Sequence, residues 1–122
     1  ETGQKNKESR LFVTTKSAVI CLDLDCQMSY LVAGDINKFG FADGDNLKEA
    51  KFDHPDGIQF IESLNSLLVC DTYNHRIRLV DLKSQKVKTL CGMNSSDHID
   101  GPLKVATLNF PQKLHYFQEG TQ

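Results

Sequence analysis

The sequence predicts an all-β fold made of repeated units of short antiparallel strands, and three observations lead to this expectation. Apolar and polar residues alternate with a period of two in stretches rich in β-branched residues, which is typical of half-buried strands. No apolar stripe with helical spacing extends over a useful length. Landmarks in the sequence recur after about 57 residues, a spacing that indicates a repeat architecture.

The predicted strands follow one another with short polar connections, so we expect a meander of antiparallel neighbours. Asp23-Leu24-Asp25 supplies the turn between the second and third strands, because Asp side chains accept hydrogen bonds from nearby backbone. The predicted strands cover residues 11–15, 18–23, 29–33, 57–61, 67–71, 76–81, 86–90 and 113–117.

The internal repeat is the most informative feature of the chain. Its landmarks differ in residue type but share nearly one offset: Gly34 and Gly92, Asp23-Leu24 and Asp81-Leu82, Asp43-Gly44 and Asp100-Gly101, Pro55 and Pro111. A single four-stranded sheet cannot bury both faces and must stack on neighbours. The sequence therefore predicts propeller blades, about two blades' worth of strands, that are part of or assemble into a six-bladed β-propeller.

The strand pattern divides the chain into four segments. Residues 1–9 form a polar tail that resembles a cloning remnant, and residues 10–34 provide the last three strands of a first blade. Residues 35–92 comprise an inter-blade loop and one complete blade. Residues 93–122 comprise a second inter-blade loop and the first strand of a following blade.

Composition and charge exclude several classes of partner. The hydrophobic content of 39% and charged content of 25% are ordinary for a globular protein, and no apolar run approaches the ~18 residues of a membrane span. The formal net charge of −2 provides no positive field for nucleic acid.

Arg76 and Arg78 are expected to project together from one solvated face of a strand.

Cysteine usage and one glycosylation pattern bear on the compartment. The spacing of Cys21, Cys26, Cys70 and Cys91 is not that of a zinc site, and both disulfides and buried thiols remain open. Asn94 is a candidate glycosylation acceptor. These features favour a secreted or luminal protein, with a cytoplasmic one as the alternative.

Residues 67–82, with Asn74-His75-Arg76-Ile77 at their centre, resemble the NHL repeat signature. Residues 50–58 resemble the approach to the innermost strand of such a blade, and residues 86–92 resemble its outermost strand. The earlier copy departs from the signature, because Lys16-Ser17-Ala18-Val19 takes the place of the tetrad. The resemblance implies a propeller whose turn motif (Asp71, Asn74, His75 and Arg76) braces the loop between two strands.

The resemblance favours a non-catalytic protein-protein interaction or scaffolding module that binds through its loop-bearing top face. Self-association to complete a propeller is a further expectation, and no cofactor or metal is expected. The candidate binding residues on that face are Phe39, Phe41, Tyr73, Asn74, His75 and His98.

Two other functions are known among similar propellers. A metal-dependent lyase would need converging histidines, but His54, His75, His98 and His115 share no repeating ligand spacing. An RNA-binding propeller would need a basic face, whereas these loops carry Asp35, Asp43, Asp45, Asp97 and Asp100. We therefore expect neither an enzyme nor a nucleic-acid partner.

Overall fold

The computed structural model describes residues 9–92, 99–103 and 106–118, which form two antiparallel sheets. The strands are β1 (Arg10–Thr14), β2 (Ala18–Asp23), β3 (Met28–Gly34), β4 (Pro55–Ile61), β5 (Ser66–Asp71), β6 (Arg76–Asp81) and β7 (Lys86–Cys91). The first sheet has the order β1-β2-β3 and the second the order β4-β5-β6-β7. Single 3-10 turns lie at Leu47–Glu49, Glu62–Leu64 and Thr72–Asn74. The predicted all-β fold of successive antiparallel neighbours is confirmed.

The observed strand bounds lie close to the predicted ones. β2 and β6 coincide with the prediction, whereas β4 begins at Pro55, two residues earlier. Pro55 pairs with Asp71 before a bulge, and regular pairing resumes at Ile58. A period-two pattern ends at such a bulge, so the sequence places the start of the strand too late.

The repeat is visible in the backbone. Gly34 and Gly92 both have a positive φ, of 91° and 104°, and they end β3 and follow β7. The β2–β3 pairing shifts register between Val19 and Ile20, and the β6–β7 pairing shifts between Ile77 and Arg78. β1, β2 and β3 are therefore the counterparts of β5, β6 and β7.

The same turn chemistry closes both repeats. A carboxylate oxygen of Asp23 accepts the amides of Asp25 and Cys26, at 3.0 and 3.2 Å. A carboxylate oxygen of Asp81 accepts the amides of Lys83 and Ser84, at 3.0 and 3.1 Å. Each Asp fixes a tight turn between the last two strands of its sheet.

The core lies where the two sheets and the intervening loop meet. Phe52, in the segment that leads into β4, is fully buried there, and burying such a ring stabilises the fold by about 1.5–3 kcal/mol. Its buried neighbours in this cluster include Val19, Cys21, Val32, Ala33, Leu47, Ala50, Leu67, Val69, Val80 and Val87. Both sheets contribute to one cluster, as stacked blades require.

The two ends of the described chain differ from the predicted segments. Residues 111–118 form no strand within this chain, so the inner strand predicted over 113–117 is not observed here, and its place in a following blade stays a prediction. A strand requires a hydrogen-bonded neighbour, and no described segment runs beside this one as a ladder. At the other end, Ser9 does not belong to a free tail, because its amide donates to Asp25 and its carbonyl accepts from Leu24. Among the described residues, no helix is long and apolar enough to cross a membrane.

Candidate functional site

The turn between β5 and β6 is built around the carboxylate of Asp71. One oxygen accepts the amide of Asp53 at 2.8 Å, and the other accepts Nδ2 of Asn74 at 2.8 Å. His75 then closes the turn in the left-handed conformation, with a φ of 56°. These bonds hold the Thr72–Asn74 turn against the residues that lead into β4.

Arg78, not Arg76, is the ion-pair partner of Asp71. Its Nη1 donates to the Asp71 carboxylate at 2.6 Å, and both side chains are 0% exposed. Burial acts to raise the pKa of the Asp71 carboxyl, against the lowering effect of the Asn74 and Asp53 donors and of Arg78. Arg78 therefore does not lie on a solvated strand face, and that expectation is wrong.

Arg78 also binds the long loop between the two sheets. Its Nη1 donates to the Lys51 carbonyl at 2.9 Å, and its Nη2 donates to the Ala42 carbonyl at 2.7 Å. Nη2 further pairs with the half-exposed Asp43 carboxylate at 3.1 Å. The guanidinium of Arg78 thus bonds to Asp71 at the end of β5 and to two places in the long loop, Ala42 and Lys51.

Arg76 contributes to the turn through a hydrogen bond and also contacts the loop. Its Nη1 donates to the Asn74 carbonyl at 2.9 Å, and its guanidinium lies 4.0 Å from the centroid of the Phe41 ring. The pKa of Arg76 is lowered by burial and then by the nearby charge of Arg78. The Phe41 ring therefore contacts two guanidinium groups, since Arg78 lies 4.8 Å from the same ring.

Asn74 connects the turn to the loop that carries the candidate aromatic residues. Its Nδ2 donates to the Gly40 carbonyl at 2.8 Å as well as to Asp71. Gly40 lies between Phe39 and Phe41, so one amide side chain positions both of these residues.

Five rings form a continuous group on the face that carries the loops, and we call this group the aromatic row. His54 stacks on Tyr73 with ring centroids 4.3 Å apart, and Phe39 lies 5.7 Å from His54. Phe110 meets Tyr73 edge-on at 5.8 Å and His75 at 4.3 Å. Phe39, Tyr73 and Phe110 are 62%, 54% and 48% exposed, although their neighbours fix them.

The two histidines of the row are anchored through Nδ1. Nδ1 of His75 accepts the amide of Phe110 at 3.1 Å, so the ring proton resides on Nε2. Nδ1 of His54 lies 2.6 Å from the Asp53 carboxylate. A polar contact at Nδ1 therefore orients both rings.

The structure brings together Phe39, Tyr73 and His75 of the predicted binding residues, and it directs Asn74 inward. Phe41 has its ring against the guanidinium groups of Arg76 and Arg78 instead, and it is 44% exposed. His98 and the candidate glycosylation residue Asn94 lie outside the described residues. Sequence reasoning missed His54 and Phe110 in the row. The repeat contained the signal, because each of these residues precedes a repeated proline. In the structure both have a positive φ, of 52° and 47°.

Two of the four cysteine thiols have a raised pKa. Burial, followed by the charge of Asp56, raises the pKa of the Cys70 thiol to about 11, so it is protonated at neutral pH. A hydrogen bond with Asp23 raises the pKa of the Cys26 thiol. All four cysteines are free thiols. Across residues 9–92, 99–103 and 106–118, no three His, Cys, Asp or Glu side chains form a group that could hold a metal.

Comparison with known proteins finds NHL-repeat relatives. The chain is 35% identical to NHL repeat-containing protein 2 of Bos taurus over 101 residues, which is 79% of this chain and 14% of that protein. The human protein of the same name is 33% identical over 101 residues. Protein SUPPRESSOR OF QUENCHING 1, chloroplastic, of Arabidopsis thaliana is 31% identical over 124 residues, 97% of this chain and 12% of that protein. The chain thus spans about a seventh of the length of these relatives. No family model matches it.

Solved structures share the fold. A protein of unknown function from Bacteroides thetaiotaomicron superposes with a TM-score of 0.80 at 24% identity, over 88% of this chain and 27% of that one. An auxiliary nutrient binding protein from the same organism superposes with a TM-score of 0.69 at 21% identity, over 87% of this chain and 29% of that one. The repeat geometry, the sequence relatives and these folds agree: the chain belongs to the NHL-repeat β-propeller family and comprises about two blades' worth of its strands.

Proposed function

We propose that this chain is a non-catalytic protein-binding module and that its partner contacts the aromatic row. The observation that carries the proposal is the row itself: five neighbouring rings, three of them about half exposed, on the face formed by the loops. Exposed apolar groups that cluster in this way on a soluble protein mark interaction sites. Large aromatic side chains also supply most of the binding energy at many protein interfaces.

The support beneath the row favours tight binding. Asp71 and Arg78 are fully buried and fix the turn and the loop through hydrogen bonds of 2.6 to 2.9 Å. Rings that are already ordered lose little conformational freedom when a partner binds. The site is therefore preorganised, which suits recognition of a polypeptide segment.

The charge around the row favours a protein over RNA. Stacking rings could also accept bases, but Asp53 lies against His54, and Asp43 lies beside Phe41 through its pair with Arg78. Carboxylates at these positions repel phosphates, whereas single-stranded nucleic acid requires a positive groove.

The proposal is tested by selecting peptides from a displayed library against the chain and measuring their dissociation constants for variants. We expect Tyr73→Ser to weaken binding by about 10-fold or more, because Tyr73 is the central ring of the row. Leu64→Ser is the matched control, since Leu64 is 55% exposed but lies in the turn between β4 and β5, at the other end of the blade.

Two results would overturn this function. One is a selection that enriches no peptide, and the other is an equal loss of affinity in the Tyr73 and Leu64 variants. Binding of a single-stranded RNA oligonucleotide with a steep salt dependence would favour the RNA-binding alternative instead.

A further inference from the structure

One end of the aromatic row is built around His54, in the loop between the two sheets. Phe39 belongs to the same loop, and Tyr73 lies in the turn between β5 and β6. The ring of His54 lies 5.7 Å from that of Phe39 and 4.3 Å from that of Tyr73. We call these three residues, together with Asp53, the His54 end of the row.

The His54 end carries two hydrogen-bond acceptors. Nδ1 of His54 lies 2.6 Å from Oδ1 of Asp53, and since a carboxylate only accepts, the proton of the neutral ring resides on Nδ1. Nε2 of His54 is then an acceptor. Among the residues that the structure describes, neither this Nε2 nor Oδ2 of Asp53 has a hydrogen-bond partner. The side chains of His54 and Asp53 are 36% and 21% exposed, so this part of the row is accessible to a partner.

The other end of the row has the opposite hydrogen-bonding character. Nδ1 of His75 accepts the amide of Phe110 at 3.1 Å, so Nε2 carries the ring proton and is a donor. A partner group with several N–H donors and no acceptor therefore matches the His54 end and not the His75 end. Among protein side chains, those of arginine and lysine have this character.

Charge favours the same kind of partner group. Asp53 places a carboxylate directly against the ring of His54, whereas Lys51, in the same loop, pairs with Asp35 at 3.7 Å. The two rings that contact His54 are more than half exposed, and the face of an aromatic ring attracts a cation. The carboxylate and the rings therefore both attract a positively charged side chain.

The chain already combines a ring, a carboxylate and a guanidinium in its interior. The guanidinium of Arg78 lies 4.8 Å from the centroid of the Phe52 ring and donates to the Asp71 carboxylate at 2.6 Å. The chain has three arginines, and the other two lie over the rings of Phe41 and Phe12. The His54 end thus has the rings and the carboxylate of such a site, while all three arginines lie over other rings.

We propose that the polypeptide partner presents an arginine to the His54 end, an inference that rests on the proposed binding function. The guanidinium lies against the rings of Phe39 and Tyr73, and its N–H groups donate to Asp53. Arginine fits this site better than lysine, because its planar group stacks on a ring and donates in its own plane to a carboxylate at the same time. Hydrogen bonds between charged groups are also stronger than neutral ones.

The first test uses the peptides that are selected from a displayed random library against the unaltered chain. We expect these peptides to share an arginine. In the tightest-binding peptide, made by synthesis, citrulline replaces this arginine with nearly the same shape and no charge. Binding should weaken by about 10-fold or more, because the cation–π attraction and the charge-assisted hydrogen bonds are lost. Lysine in the same place should weaken binding by a smaller factor, since the charge remains. Equal affinities of the arginine peptide and either replacement would overturn the proposal.

The second test removes the carboxylate from the chain. Asp53→Asn keeps an oxygen that accepts from His54 but has no charge. We expect this variant to bind the arginine peptide about 10-fold more weakly and the citrulline peptide about as well as the unaltered chain does. Asp45→Asn is the matched control, because Asp45 is exposed and lies beside Gly44, which pairs with Val87 of β7. Equal losses in the two variants would contradict a contact at Asp53. The peptide replacements leave the chain unaltered, so their result holds whether or not Asp53→Asn changes the fold.

Failure of this inference is distinguishable from failure of the proposed function. Selected peptides that contain no arginine, but that lose affinity in the Tyr73→Ser variant, would refute the arginine and leave the binding function in place. A selection that enriches no peptide would overturn both.

Discussion

At the scale of single residues, a buried ion pair organises the face on which we place binding. Asp71 and Arg78 are 2.6 Å apart and fully buried, and Arg78 also satisfies the carbonyls of Ala42 and Lys51. Such a pair fixes a geometry even where its net contribution to stability is small. The aromatic row depends on that geometry because both the turn and the loop are attached to it.

Removing one partner of this pair should be strongly destabilising. We expect Asp71→Ala to lower the free energy of unfolding by about 3–5 kcal/mol, because it leaves the Arg78 guanidinium buried without its carboxylate. Arg76→Ala removes a partly exposed contact with Phe41 and should cost about 1 kcal/mol. Urea unfolding curves provide both values, and similar costs for the two variants would contradict the assigned partner.

The exposed turn aspartates should make stability depend on pH. Hydrogen bonds from the Ser84 and Cys26 amides lower the pKa values of Asp81 and Asp23 respectively. Their contribution is present above the unfolded-state pKa and is lost as the pH falls through the lower folded-state values, so stability should decrease on acidification below about pH 4.

The variant Asp23→Asn, Asp81→Asn tests this dependence, because an amide oxygen accepts the same backbone bonds but does not titrate in this range. We expect its stability to decrease less between about pH 4 and pH 2 than that of the unaltered chain. The test is the unfolding midpoint of each protein, measured across this pH range. If the midpoints of the variant and of the unaltered chain decrease in parallel, the two aspartates are not the cause of the pH dependence.

Sequence reasoning at this scale identified residues but not all of their contacts. The repeat signature pointed to Asp71 and Asn74 as parts of one turn. The position of Arg78 could not be predicted, because its partners at Ala42 and Lys51 belong to a loop whose path follows no local pattern. Alternation alone indicates which side of a strand a residue faces, and not whether a loop covers that side.

At the scale of elements, each sheet ends at a glycine that no other residue can replace without strain. Gly92 has a φ of 104°, and a Cβ added there would collide with backbone atoms of His75 and Arg76. The outermost strand can approach the turn of β6 only because this position has no side chain. Gly34 repeats the arrangement at the end of β3.

We therefore expect Gly92→Ala to destabilise the fold by at least about 1–2 kcal/mol, the cost of a left-handed conformation alone. Gly40→Ala is the control, because its φ is not positive and its nearest new contact would be the flexible Lys51 side chain at 3.4 Å. Thermal unfolding of both variants measures the difference. Equal midpoints would show that the Gly92 backbone can relax.

The strands were predictable because their pattern is local. Period-two alternation and turn residues located β2 and β6 at their observed bounds, and the others within one or two residues. The segment over 113–117 has the same pattern but no ladder. Strand formation requires a neighbour as well as a sequence, and that requirement cannot be read from the segment itself.

At the scale of the whole molecule, the repeat explains both the stacked sheets and the row. Two sheets share one buried cluster, and each repeat contributes the residue before its proline, His54 or Phe110, to the same face. The sequence predicted the blades but not this pairing of rings. The row brings together residues more than 70 positions apart, which only stacking of the repeats makes neighbours.

We propose that a polypeptide partner binds at the aromatic row. The most direct measurement is the change in backbone amide chemical shifts of the isotopically labelled chain as a selected peptide is added. We expect the largest changes at Phe39, His54, Tyr73, His75 and Phe110. Changes centred on the turn at Leu64, or on β1 and β3, would contradict it.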